Sequence, residues 1–141
     1  MPKFEKLSYY VNPQMAVVPG SKTNGITAVA VDASGGYDRV LFVIPLGSFG
    51  TSAGFDAEIT ESATSGGTYT LIASSGMALV TASAANKVIL IDVPVNSSKP
   101  FLKIRSTATT AAVGMGAVAL CYNGTRPLGT AMEDVAQSVE V

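Results

Sequence analysis

The densest group of side chains that could do chemistry is a set of three carboxylates, Asp56, Glu58 and Glu61. A glycosidase needs two carboxyl groups across a substrate cleft, one acting as acid and the other as base or nucleophile. Asp56 and Glu58 lie two residues apart, which places them on one face of a β-strand. The same pattern is typical of a solvated strand face that pairs with cations, and we favour this second interpretation. The cations available for such pairing are Arg39, Lys103 and Arg105.

Histidine is absent from the chain, and Cys121 is its one cysteine. Histidine is the usual general base near neutral pH and the commonest metal ligand, so most enzyme mechanisms and metal sites are disfavoured. Cys121 lies in the apolar run Val118–Tyr122, which predicts a buried, unreactive thiol, because an activated cysteine needs a basic neighbour. We therefore expect a protein that is not an enzyme, with no catalytic residues, no cofactor and no metal.

Charged residues make up only 13% of the 141 residues, and the net charge is −1. Ordinary domains have about 25% charged residues. Without a basic field, nucleic-acid binding is disfavoured. The longest apolar stretch, residues 111–122, is shorter than the ~20 residues that cross a bilayer. The first residues lack the apolar core of a signal peptide. We expect a protein that is made in the cytoplasm and binds neither nucleic acid nor membrane.

Short β-rich runs separated by turn residues are the elements that would position these side chains. Their spacing predicts an all-β chain, a two-sheet antiparallel β-sandwich of about eight strands. The Gly-rich stretch from Thr60 to Tyr69 predicts a hairpin between two of them. The predicted strands are Met15–Val18, Ile26–Val31, Arg39–Leu46, Phe55–Glu61, Thr68–Ile72, Val88–Val93, Phe101–Arg105 and Val113–Tyr122, with a further short strand considered at Met77–Thr81.

The run Val88-Ile89-Leu90-Ile91 is apolar at every position. A strand with this pattern is covered on both faces. Since an antiparallel sandwich normally leaves one face of each sheet in water, this run predicts that something else covers the outside of its sheet.

Three segments differ in composition. Residues 1–22 have a charge of +2 and form an N-terminal arm with a first strand, residues 23–126 form the sandwich, and residues 127–141 have a charge of −3 and form a C-terminal tail. Either the ends are solvated tails, or they are arms that dock on neighbouring subunits.

Aromatic residues in the first segment suggest recognition. Phe4, Tyr9 and Tyr10 lie near Lys3 and Lys6. Tyrosine and phenylalanine are enriched in the cores of protein interfaces. The alternative is an ordinary first β-strand.

In the last segment, Met132, Val135, Ala136 and Val139 recur at helical spacing. This predicts a short amphipathic helix or a partly ordered tail. Because a helix of about ten residues is marginal alone, docking would have to order it.

The order of motifs between residues 37 and 127 resembles the small head proteins of tailed bacteriophages. The hairpin motif of that family matches Glu61-Ser62 in this chain, and its Ile-Asp strand matches Val88–Val93. A strand with alternating basic residues follows at Phe101–Arg105, and an Arg-Pro exit at Arg126-Pro127. The hairpin here lacks the tryptophan often found in that family, and the ends of the chain match nothing in it.

This resemblance implies a jelly-roll-like capsid decoration, or cement, protein on the outer surface of the virion. Its partners would be the major capsid protein and further copies of itself, in a dimer or else a trimer. The alternative is a carbohydrate-binding or head-fibre module that contacts the host surface, although an aromatic content of 7% without tryptophan weakens that interpretation. The candidate interface residues are Phe4, Tyr9, Tyr10, Phe101, Lys103, Arg105, Met132 and Val135.

Overall fold

The computed structural model describes residues 11–106, 111–123 and 135–141. In these ranges the chain forms nine β-strands and one 3₁₀ turn at Ala82–Ala84, and no helix is long and apolar enough to cross a membrane. The strands are β1 (Val11–Lys22), β2 (Val31–Asp32), β3 (Arg39–Phe49), β4 (Glu58–Ser62), β5 (Thr70–Leu71), β6 (Val88–Pro94), β7 (Phe101–Arg105), β8 (Val113–Tyr122) and β9 (Val135–Glu140).

The strands form two sheets. The five-stranded sheet has the order β1-β8-β3-β6-β9, and the four-stranded sheet has the order β2-β7-β4-β5. Neighbouring strands are antiparallel, apart from β9, which runs parallel to β6. This confirms the predicted all-β, two-sheet β-sandwich, including the hairpin that joins β4 to β5.

The core lies between the two sheets and is built by alternation along the strands. On β3, Val40, Phe42 and Ile44 have no solvent exposure, whereas Leu41 and Val43 point the other way and are half-buried. Each fully buried side chain of this size stabilises the fold by about 1.5–3 kcal/mol relative to exposure. The other largest fully buried residues are Phe55, Ile59, Ile89, Ile91 and Leu102.

Strand β1 is much longer than the predicted Met15–Val18. It includes Pro13 and Pro19, although proline is more typical of turns than of strands. Because β1 is an edge strand, a proline there costs few ladder hydrogen bonds. The pairing with β8 absorbs the irregularity through register shifts between Met15 and Val17 and between Val17 and Gly20.

Several predicted strands are shorter than expected, and Met77–Thr81 is not a strand. Val80 makes only an isolated bridge to Phe55. Ile26 and Ala28 pack against the core although their main chain lies outside the ladders. In these segments the apolar pattern marks burial of side chains rather than strand pairing.

The predicted helix near the C-terminus is wrong for Val135–Glu140, which forms strand β9. Here Val139 pairs with Ile91 and packs against the core. A short isolated helix is marginal, whereas a strand satisfies the otherwise unpaired main-chain edge of β6. Met132, the first residue of the helical pattern, lies outside the described residues.

Candidate interaction surface

The outer side of the five-stranded sheet is apolar, and we call it the apolar face. Val43 pairs with Val118 on one side and with Leu90 on the other, so their side chains share this face. Met15, Pro13 and Pro45 are exposed, Leu90 is buried and the rest are half-buried. The residues of the apolar face are Val11, Pro13, Met15, Leu41, Val43, Pro45, Val88, Leu90, Val118 and Leu120.

Both sides of β6 are largely buried within the chain itself, and an additional cover on the outside of its sheet stays a prediction. Ile89 and Ile91 point into the core without exposure, and Leu90 points outwards yet is only 7% exposed. The lack of charge seen in the sequence thus falls largely on one outer sheet surface, since β3 and β8 place apolar side chains there too.

A polar cluster closes one end of the apolar face. Arg39 Nε donates to Asp92 Oδ1 at 2.8 Å, and the Tyr122 hydroxyl donates to Asp92 Oδ2. Arg39 also donates to the main-chain oxygen of Val141 at 2.8 Å. Burial raises the pKa of the Asp92 carboxyl, while the hydrogen bonds from Tyr122 and Arg39 act in the opposite direction. The cluster ties β3, β6 and β8 together and holds the end of the chain after β9.

An open groove of about 380 Å³ crosses the other end of the apolar face. Met15 and Pro19 form one wall and Pro45 the other. Glycines line its floor in place of side chains; two of them are half-buried and the third, Gly116, is buried. We call this site the glycine groove; its floor includes Gly47, Gly114 and Gly116.

The three floor glycines are not equivalent. A Cβ at Gly116 would lie 3.1 Å from the Cα of Pro19, a close contact, so a larger residue there would have to push β1 away by a few tenths of an ångström. A Cβ at Gly114 or Gly47 would meet its nearest neighbour at 3.4 or 3.5 Å, an ordinary contact, and neither residue has a positive φ. The fold therefore does not require glycine at these two positions.

The outer side of the four-stranded sheet has a different character, and we call it the polar face. Glu58 pairs with Arg105 across β4 and β7, and the Arg105 Nε lies 2.6 Å from Glu58 Oε1. The interpretation of Glu58 as part of a cation-paired strand face is confirmed. Phe101 and Lys103 lie on the same side of β7, because they alternate with the buried Leu102 and Ile104. Three of the predicted interface residues therefore share one surface.

A second open groove, of about 420 Å³, lies on the polar face. Lys103 Nζ lies 4.6 Å from the centre of the Tyr69 ring, a cation–π contact. The Tyr69 hydroxyl donates to the Ser65 carbonyl at 2.8 Å, and burial raises the pKa of this hydroxyl. Thr27, Thr60 and Arg105 line the same groove. It combines an aromatic ring with cations and hydroxyl groups.

Of the remaining predicted interface residues, the structure describes one. Val135 lies in β9, at the edge of the opposite sheet. Phe4, Tyr9, Tyr10 and Met132 lie outside the described residues.

Sequence reasoning missed the glycine groove. The available signal was the alternation of Gly114 and Gly116 in an otherwise apolar strand. Glycine weakens the interior of a strand, and it often marks a close approach of another main chain.

Cys121 is buried, as predicted, on the inner side of β8. Burial is the main cause that raises the pKa of the thiol to about 11. The nearby Asp32 charge also raises this pKa, and a hydrogen bond from Gln14 lowers it. At neutral pH the group is therefore a protonated core side chain.

Among residues 11–106, 111–123 and 135–141, no three His, Cys, Asp or Glu side chains are grouped so that they could hold a metal ion. Comparisons of the chain with protein-family models, curated proteins and solved structures find no significant match.

Proposed function

We propose that this protein is a structural component of a tailed-bacteriophage virion, which decorates the outside of the capsid and cements neighbouring major capsid protein subunits. The observation that carries the proposal is the apolar face. It spans four neighbouring strands over about six residues, or roughly 400 Å² at ordinary strand spacing. Patches of this size on soluble proteins often mark interaction sites. The motif order of residues 37–127 adds the phage context.

The area of the apolar face also limits what it can do alone. It is about half of the ~800 Å² that one partner contributes to a standard interface. Because seven of its ten residues are already half-buried or buried, covering it would contribute less than about 10 kcal/mol before the costs of association are subtracted. We therefore propose that further contacts, including terminal arms, complete the binding and link copies of the protein into a dimer or trimer.

The test is binding to expanded capsids that lack the protein. The purified chain is expected to saturate a fixed number of sites per capsid and to raise the temperature at which the shell disassembles. Capsids that show no bound protein and an unchanged disassembly temperature at saturating concentration would contradict the proposal.

A second candidate function is binding of a carbohydrate on the host surface, and the groove on the polar face favours it. Tyr69 offers a ring, and Thr60 and Lys103 offer hydrogen-bonding groups in one open site. Binding pockets typically combine apolar surface with a few polar groups that fix orientation. A glycan array tests this: a hit that Tyr69→Ala abolishes supports carbohydrate binding, and an array without hits contradicts it.

A further inference from the structure

Lys103 is a half-buried cation that pairs with no carboxylate in the described part of the chain. The two carboxylates of β4 have other partners, since Glu58 pairs with Arg105 and Glu61 lies 3.9 Å from Lys99. The Lys103 ammonium instead lies 4.6 Å from the centre of the Tyr69 ring. A lysine ammonium has three N–H donors, so contact with a ring leaves donors for a ligand.

The ring and the ammonium are positioned before any ligand arrives. The Tyr69 hydroxyl donates to the Ser65 carbonyl at 2.8 Å, which fixes the hydroxyl end of the ring. Lys103 pairs with Thr60 in the ladder between β7 and β4, and the Thr60 hydroxyl donates to the Lys103 carbonyl at 3.1 Å. Groups that are held in advance lose less conformational freedom on binding. The two side chains therefore form a prepared contact for an anionic group that lies next to an apolar surface.

The rest of the groove on the polar face adds hydroxyl groups and apolar surface. Thr27 is exposed, so its hydroxyl is available to a ligand. Arg105 is neutralised by Glu58, and the net positive charge of the lining therefore comes from Lys103. The lining residues, none of which is Asp or Glu, are Ile26, Thr27, Ala28, Thr60, Tyr69, Lys103, Ile104 and Arg105.

Together these groups fit a sugar that carries one negative charge. A sugar ring offers C–H surface to the Tyr69 ring and hydroxyl groups to the threonines, as binding sites that combine apolar and polar groups require. A carboxylate or a sulfate ester on that sugar would accept a charge-assisted hydrogen bond from Lys103, which is stronger than a bond between neutral groups. A neutral sugar would forgo this bond.

We propose that the groove on the polar face binds an acidic sugar, with Lys103 holding the anionic group and Tyr69 packing against the sugar ring. This inference rests on the second candidate function, carbohydrate binding, and not on capsid binding.

The experiment titrates the full-length chain with three oligosaccharides and follows binding by calorimetry. The first contains glucuronic acid, the second is the same molecule with its carboxyl group reduced to an alcohol, and the third is this reduced molecule with a sulfate ester. The glucuronic acid or the sulfated sugar is expected to bind at least tenfold more tightly than the reduced one, since a hydrogen bond to a charged group contributes about this factor. Whichever of the two binds more tightly identifies the acidic group.

A matched pair of variants locates the site. Lys103→Met removes the charge but keeps the apolar stem, and it is expected to weaken binding of the acidic sugar at least tenfold. Lys99→Met removes the same charge from the protein and is expected to bind like wild type, because Lys99 pairs with Glu61 and does not line the groove.

Salt dependence of the wild-type chain keeps the test valid if Lys103→Met does not fold. Binding of the acidic sugar should weaken between 50 mM and 500 mM NaCl, because salt screens an exposed pair of charges. Binding of the reduced sugar should not change.

Three results would overturn the inference: equal binding of the acidic and reduced sugars, undiminished binding by Lys103→Met, or a short peptide with one glutamate that binds as tightly as the acidic sugar. The last would show that the groove recognises an acidic peptide rather than a sugar. On the glycan array, neutral hits without acidic ones refute only this inference, whereas an array without hits refutes carbohydrate binding as well. Neither result bears on capsid binding, which is measured separately.

Discussion

Arg39 Nε lies 2.8 Å from Asp92 Oδ1, and the Asp92 side chain has no solvent exposure although it lies on the outer side of its sheet. With Tyr122, this pair joins three adjacent strands by charge-assisted hydrogen bonds. A register slip of one residue would turn Asp92 into the core. The cluster therefore specifies the alignment of an otherwise apolar surface that offers few other register signals.

Removing Asp92 should destabilise the fold strongly. Asp92→Ala leaves the largely buried Arg39 guanidinium and the Tyr122 hydroxyl without their acceptor, and breaking a buried pair in this way costs about 3 kcal/mol. Denaturant unfolding measures the change. Asp38→Ala, at an exposed carboxylate just before β3, is the control and should change stability by less than about 0.5 kcal/mol. Similar losses in the two variants would show that the cluster contributes little.

Burial of the Cys121 thiol should make the free energy of unfolding fall at high pH. The folded protein favours the protonated thiol, with a pKa of about 11 against 9.0 for the free group. Its contribution is complete below pH 9 and is lost as the pH rises through about 11. The free energy of unfolding of wild type, relative to Cys121→Ala, should drop by about 2 kcal/mol between pH 8 and pH 11. A constant difference between the two proteins over this range would contradict a buried thiol.

The floor glycines should respond differently to alanine. Gly116→Ala forces a Cβ against the main chain of Pro19 and is expected to cost about 2 kcal/mol through overpacking. A Cβ at position 114 has room, so the free energy of unfolding of Gly114→Ala should be higher than that of wild type or within about 0.5 kcal/mol of it. Thermal unfolding of the two variants checks this. Equal destabilisation would mean that the fold has the same need for glycine at both positions.

Capsid binding should depend only weakly on salt. The apolar face lacks exposed charge in the stretch from Met15 to Pro45 across β1, β8 and β3, so screening has little to act on. Binding isotherms at 50 mM and 500 mM NaCl should agree within about threefold. A tenfold or greater loss would instead assign binding to charged groups, either Lys103 and Arg105 on the polar face or the charged terminal segments.

Sequence reasoning predicted what depends on local alternation. Period-two patterns and residue chemistry predicted the sandwich, the hairpin after Ser62, a cation-paired strand face at Glu58 and the burial of Cys121. They did not predict which of three candidate cations pairs with Glu58. It failed for Val135–Glu140, because that segment becomes a strand only through the edge that β6 offers, some 47 residues earlier in the chain. The glycine groove was out of reach for a similar reason. It exists only because β1 brings Pro19 against Gly116.

Capsid binding by the apolar face can be tested with one matched pair of variants. Met15 on the apolar face and Leu71 on the polar face are each 47% exposed, so a glutamate at either position should disturb the fold equally little. Occupancy on expanded capsids lacking the protein is the measurement. If the apolar face binds the capsid, Met15→Glu should give an at least tenfold weaker isotherm and Leu71→Glu a wild-type isotherm. Wild-type binding by Met15→Glu, or an equal loss in both variants, would contradict it.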